Sequence, residues 1–204
     1  MDSNFIKIIA ISNIYNRYII NISNIKLNNF QKLLKMFTPN QNKFSNKGKI
    51  LVAFYSQTGQ TKKYAQIIAQ KLEADIYEII PVRKYNDDMW AAAAEADKEI
   101  KENRYPALKG SLPDISSYNT ILIGSGVWTY TLANPVVSFV RAINFNGKKV
   151  SGFWTFYDHD EKMNIDLKNY CKGAHYINGL PLPRKLTANA KNTNTAIDNW
   201  IQTL

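Results

Sequence analysis

Residues 49–65 read K-I-L-V-A-F-Y-S-Q-T-G-Q-T-K-K-Y-A, and the fold is decided there. Ile50, Leu51, Val52, Ala53 and Phe54 form a short continuous apolar run, the pattern of a strand covered on both faces, as in a parallel sheet. Residues 56–61 make a polar turn around Gly59. Behind it Tyr64, Ala65, Ile68, Ala69 and Leu72 recur at helical spacing. Strand, hydroxyl-rich turn and helix in that order make an anion cradle. Gly59 permits a tight turn, and Ser56, Thr58 and Thr61 supply hydroxyl donors. The helix start adds unpaired N–H groups and the positive end of a dipole. The turn lacks both the Gly-Lys-Ser/Thr of a nucleotide-triphosphate loop and G-x-G-x-x-G, which argues against a nucleoside triphosphatase. A strand-to-helix turn with a threonine cap is the plainer reading of the same residues.

The alternation continues along the chain. Residues 75–80 read as a strand ended by Pro81. A second helix opens at Asp87 or Asp88 and runs through the alanine block to Glu102. After a connection with Pro106, Gly110 and Pro113, residues 120–124 read as a third strand. Asn134 and Pro135 read as an N-cap and first-turn proline, with Val136, Phe139, Val140 and Ile143 behind them. Residues 149–155 are a fourth strand and 174–180 a fifth. Met163, Leu167, Tyr170 and Cys171 mark a fourth helix, and Ile197, Trp200, Ile201 and Leu204 a last one. Five strands alternating with five helices predict an α/β fold, a doubly wound five-stranded parallel sheet. Ligands in such folds bind beyond the carboxyl ends of the strands.

With these residues in view, residues 49–65 resemble the start of a flavodoxin, and more specifically the short bacterial flavodoxin-like family. The resemblance extends to Pro81-Val82-Arg83-Lys84-Tyr85, to Pro106-Ala107-Leu108-Lys109-Gly110 and to Leu112-Pro113-Asp114 with Tyr118. It continues through a third strand ending in Gly124, Trp128 four residues on, and Pro135. It covers almost all of residues 48–204 and implies strand order 2-1-3-4-5 and FMN as cofactor. The resemblance places the FMN phosphate on Ser56, Gln57, Thr58, Gly59, Gln60 and Thr61. It places one face of the isoalloxazine ring under Ser125, Gly126, Val127, Trp128 and Thr129, with Trp128 stacking. It brings Thr155, Phe156 and Tyr157 to the pyrimidine side. Two departures stand out. The family often has a second aromatic directly after the tryptophan, where this chain has Thr129, with Tyr130 next. A histidine-glycine-rich stretch often follows the threonine at the end of the fourth strand, where this chain has F-Y-D-H-D-E. Tyr157 could supply the second stacking ring. His159 reads as a solvated histidine and Cys171 as a buried helix residue. No spacing suggests a metal site or a hydrolytic triad.

Residues 1–47 have no counterpart in the resemblance and read as a separate basic, Asn/Ile-rich extension and linker. The net charge of +10 is concentrated at this end: residues 1–50 carry eight Lys/Arg against Asp2, and residues 51–204 are only +3. Leu27, Phe30, Leu33, Leu34 and Phe37 suit an amphipathic helix, so membrane contact by the extension is one expectation. Met36 offers an alternative start. No apolar run approaches the roughly 20 residues of a spanning helix, and no secretory signal is evident. Cys171 is the sole cysteine, which precludes an internal disulfide and suits a reducing, cytoplasmic setting. The resemblance implies electron transfer or flavin-dependent oxidoreduction with unidentified redox donors and acceptors, and no nucleic acid. An NAD(P)H-dependent quinone-type reductase and a binding module that has lost flavin remain open. Carrier flavodoxins are commonly acidic, so a domain at +3 favours a different partner or a reductase.

Overall fold

The computed structural model describes residues 48–204. The extension, its amphipathic stretch and Met36 lie outside the described residues. β1 (Ile50–Phe54) is followed by α1 (Gln60–Leu72), β2 (Asp75–Glu78), α2 (Met89–Lys101), β3 (Thr120–Trp128), β4 (Thr131–Leu132) and α3 (Asn134–Ala142). The chain continues through β5 (Lys149–Phe156), α4 (Met163–Tyr170), β6 (His175–Tyr176), β7 (Leu180–Pro183), α5 (Arg184–Thr187) and α6 (Ala190–Ile201).

The strands form one sheet in the order β2-β1-β3-β5-β6, parallel throughout, with β7 also paired to β5 and β4 folded back antiparallel on β3. With the β4 arm set aside and β6 and β7 taken as two pieces of one strand, this is the expected 2-1-3-4-5 order. Among the described residues seven strands stand where five were expected, and each extra piece has a local cause. β3 does not stop at Gly124 but runs to Trp128. There Thr129 and Tyr130, at φ 47° and 68°, reverse the chain. Two left-handed residues between antiparallel strands are the geometry of a tight hairpin.

The fifth strand is split by its register. His175 pairs with Lys149, but Leu180 pairs with Phe153, so the outer strand carries one residue more than its neighbour. That is a β-bulge. Asn178 O at the bulge accepts from Ser151 Oγ and from Trp200 Nε1, both at 3.2 Å, and Gly179 N donates to Asn164 Oδ1 at 2.8 Å. A Cβ on Gly179 would lie 2.2 Å from Trp154 Cζ3 and 2.6 Å from Gly152 O. Gly179→Ala is therefore expected to destabilise the fold by about 1–3 kcal/mol, as overpacking does. The denaturant midpoint should fall while the slope of the transition is unchanged. An unchanged midpoint would show that the bulge relaxes freely.

Strand periodicity divides the core. Leu51 and Ala53 of β1, Ile121 and Ile123 of β3, and Val150 and Trp154 of β5 face Val136, Phe139 and Val140 of α3 and Met163 and Leu167 of α4. The alternate residues Ile50, Val52, Phe54, Leu122 and Phe153 face Tyr64, Ala65 and Ile68 of α1 and Ile197, Trp200 and Ile201 of α6. Burial on both faces is why these strands read as continuous apolar runs instead of alternating ones. Cys171 sits in the first of these clusters, where burial pushes its thiol up to about 12 and leaves it unreactive.

Helix α2 starts as expected, with Asp88 accepting from Ala91 N at 2.9 Å. Asn134 does not cap α3. Ala133 takes that position, and Asn134 is the first helical residue, fully buried. Its amide turns to α2 instead, donating to Ala96 O at 3.1 Å and to Glu99 Oε2 at 2.8 Å.

Candidate functional site

The chain leaves β1 for β2 on one side and returns to β3 on the other. In sheets of this order, ligands bind beyond the carboxyl ends of such a pair of strands. Residues 55–59, 79–88, 129–130 and 157–162 are the connections that leave this end of the sheet.

The first connection is the turn that the sequence reading takes for an anion cradle. Gly59 sits at φ 88° at the N-cap of α1 and makes no side-chain cap bond. The first turn of α1 carries no acid, and it contains Lys62 and Lys63. The leading N–H groups of the helix thus have no side-chain oxygen to receive them, and an anion fits there. Ser56 Oγ is buried and has no hydrogen-bond partner. A buried hydroxyl without a partner is costly, and a phosphate oxygen would relieve it. Thr58, Gly59 and Gln60 are exposed at the rim of the turn.

The other two polar side chains of the turn are already engaged. Gln57 Oε1 accepts from Tyr55 Oη, and its Nε2 donates to Asn86 O at 2.8 Å, so this side chain ties β1 to the β2–α2 connection. Thr61 is buried, and its hydroxyl meets that of Thr155 at 3.0 Å, joining α1 to the end of β5. Where Thr155 is the donor of that pair, the Thr61 proton is left for an anion.

The third-strand segment builds the opposite wall. Ser125 is nearly fully buried and spent within the hairpin, donating to Gly126 O at 2.7 Å and accepting from Ala133 N at 3.0 Å. Val127 pairs with Leu132. Trp128 is half-buried and held edge-on by two tyrosines: Tyr55 at 5.5 Å and 84°, and Tyr85 at 4.8 Å and 83°. A Cβ on Gly126 would meet only the Trp128 indole, 3.6 Å from Nε1. Thr129 Oγ1 is buried and unpartnered, at a φ that β-branched residues seldom adopt. Burial, together with the nearby Glu99 carboxylate, drives both tyrosine hydroxyls far above their ordinary pKa, so each stays protonated.

The end of β5 supplies the third wall. Phe156 is half-buried against the α3/α4 side of the core. Tyr157 is 62% exposed, with the Arg184 guanidinium 5.0 Å from its ring centre. His159 is exposed, pairs with Glu161 at 3.1 Å, and has its pKa raised by that contact. The three predicted segments thus leave the same end of the sheet: the turn at residues 56–61, the hairpin that carries Trp128, and the end of β5.

The model of a family described as flavodoxin matches residues 49–204. The chain belongs to the flavodoxin family. A crystal structure described as a flavoprotein of Bacteroides uniformis is 28% identical, with a TM-score of 0.66, covering 76% of this chain and 98% of that one. A second, from Bacteroides eggerthii, is 24% identical with a TM-score of 0.65, covering 76% and 96%. A flavoprotein of Lactobacillus acidophilus, crystallised in complex with FMN, is 22% identical with a TM-score of 0.60, covering 75% and 98%. No curated protein matches.

In this flavodoxin the residues that sequence reasoning missed are Tyr55, Tyr85, Glu99 and the inward side of Asn134. Tyr85 lay within a quoted landmark, and Tyr55 directly precedes the turn. Glu99 had no signal, because its contacts to Tyr85 and Asn134 depend on α2 lying beside the Tyr85 connection. Among the described residues no three His, Cys, Asp or Glu side chains are grouped to hold a metal ion. Nor, among them, is any helix long and apolar enough to cross a membrane.

Proposed function

We propose that this flavodoxin-like domain binds FMN at the carboxyl ends of β1, β3 and β5 and serves as a redox protein, in electron transfer or flavin-dependent oxidoreduction. The observation that carries the reading is the unpartnered Ser56 hydroxyl at the uncapped, acid-free N-terminus of α1. Membership of the flavodoxin family and the FMN-bound structure of the Lactobacillus acidophilus flavoprotein support it.

In this reading Ser56, Thr58, Thr61 and the first N–H groups of α1 bind the phosphate. Trp128 offers an apolar, polarisable face to the ring, and Gly126 leaves the backbone beside it open. Thr155 and the backbone at Phe156 and Tyr157 close the pyrimidine side. The flavin supplies the electron chemistry, and the protein supplies position and electrostatics. Bound FMN should give the purified protein a yellow spectrum that is lost on stripping and restored on adding FMN. Failure to take up FMN would leave a binding module without flavin. Steady oxidation of NAD(P)H with an added quinone would assign the reductase role, and its absence the carrier role.

A further inference from the structure

Trp128 does not set its own orientation. It rests edge-on against the ring of Tyr85, and that ring is only 2% exposed. The Tyr85 hydroxyl donates to Glu99 Oε2. The same oxygen accepts from Asn134 Nδ2 at 2.8 Å, and Glu99 Oε1 accepts from Arg83 Nη2 at 2.8 Å. Arg83 also pairs with Glu95, and its guanidinium lies 5.1 Å from the Tyr85 ring centre. The inward stripe of α2 is otherwise Ala92 and Ala96, both buried. Two alanines at helical spacing leave the room that the Glu99 side chain and the Asn134 amide occupy.

A carboxylate with a side chain 15% exposed is expensive, and a well-packed apolar residue often serves stability as well or better. Here three donors from two segments converge on it: the β2–α2 connection gives Arg83 and Tyr85, and α3 gives Asn134. We propose that Glu99 is a positioning residue for Trp128, acting through the Tyr85 hydroxyl to fix the ring on which the indole rests. The proposal rests on the reading that Trp128 covers FMN. Glu99 touches neither the indole nor the cofactor cradle; it selects one tilt of the indole face. The second tyrosine, Tyr55, is held by a different contact, through Gln57 to Asn86 on the connection that also carries Tyr85.

The test is a double-mutant cycle on the full chain, read as the dissociation constant of oxidised FMN and as the flavin potential. Glu99→Gln should weaken FMN about tenfold, within the range over which neighbouring residues couple. It should move the potential in the same direction as Trp128→Ala. In a Trp128→Ala background the same change should cost less than about twofold, because the residue it acts through is gone. Tyr85→Phe keeps the ring and removes only the hydroxyl, so it should reproduce most of the Glu99→Gln effect even where Glu99→Gln folds poorly. An equal loss with and without Trp128 would overturn the proposal and leave Glu99 a fold residue. So would a silent Tyr85→Phe. If Trp128→Ala itself leaves FMN binding unchanged, the stacking reading fails and the proposal falls with it. An additive cycle on top of a real Trp128 effect sinks only the positioning role.

Discussion

FMN is expected to bind this protein at least about a hundredfold more tightly than riboflavin, and Ser56→Ala should cut that advantage about tenfold or more. The first figure comes from the cradle. A phosphate there would accept from Ser56 and from the open N–H groups of α1, and hydrogen bonds to a charged group contribute about 1.5–3 kcal/mol each. Two such bonds already exceed a factor of a hundred. The second figure comes from the isolation of Ser56 Oγ, which is buried with no protein partner. Removing it leaves no protein group stranded, so the loss should fall on the phosphate alone. Riboflavin, lacking phosphate, should bind Ser56→Ala as it binds the parent. Thr58, exposed at the rim, should show a smaller effect of the same sign. Calorimetric titration of the stripped protein with both ligands measures all of this. Equal weakening of FMN and riboflavin would place the phosphate elsewhere.

Trp128→Ala is expected to weaken oxidised FMN by about 1–3 kcal/mol, the scale of stacking on a heterocyclic base. Reduced FMN should suffer less. Its ring carries negative charge, and an electron-rich indole in a dry site repels that charge while it stacks well on the neutral oxidised ring. Linkage turns this difference into a potential, since a shift in potential is the difference in affinity between two redox states. Losing more affinity for the oxidised form than for the fully reduced one must raise the overall two-electron potential. Potentiometry with dye indicators reads it directly. The competing account makes Trp128 a packing residue, because it already leans on Tyr55 and Tyr85. In that case thermal melting of the stripped protein collapses, while affinity per folded molecule and potential stay where they were.

The two predictions draw on different kinds of information. Ser56 stood out in the sequence because local chemistry marks it, and Trp128 because the resemblance to the flavodoxin-like family places it over the ring. A hydroxyl-rich turn between an apolar run and a helix is a one-dimensional pattern. The parallel sheet was legible for the same reason: β1 is buried at every position, and burial on both faces leaves a continuous apolar signature. The division of the basic charge between residues 1–50 and the rest is likewise a property of the chain alone.

Tertiary structure decided which of those side chains are free. Gln57 and Ser125 look like cofactor donors in one dimension, yet folding spends one on Tyr55 and Asn86 and the other on the hairpin. Asn134 looks like a cap, but α2 lies close enough to offer its amide two acceptors within the core, while a cap would have had to face solvent. The bulge at Asn178 and Gly179 lies where Trp154 and Gly152 O leave no room for a Cβ on residue 179, a constraint between strands that no local pattern records. Glu99 is the clearest case. On its own helix it is one charge among many, and it acquires its role only when Tyr85, Arg83 and Asn134, from elements far apart in the chain, converge on its two oxygens. Local pattern determines what each segment forms, because periodicity and turn chemistry act over a few residues. Which polar groups remain available to a ligand depends on every element that packs against them, and only the assembled fold supplies that list.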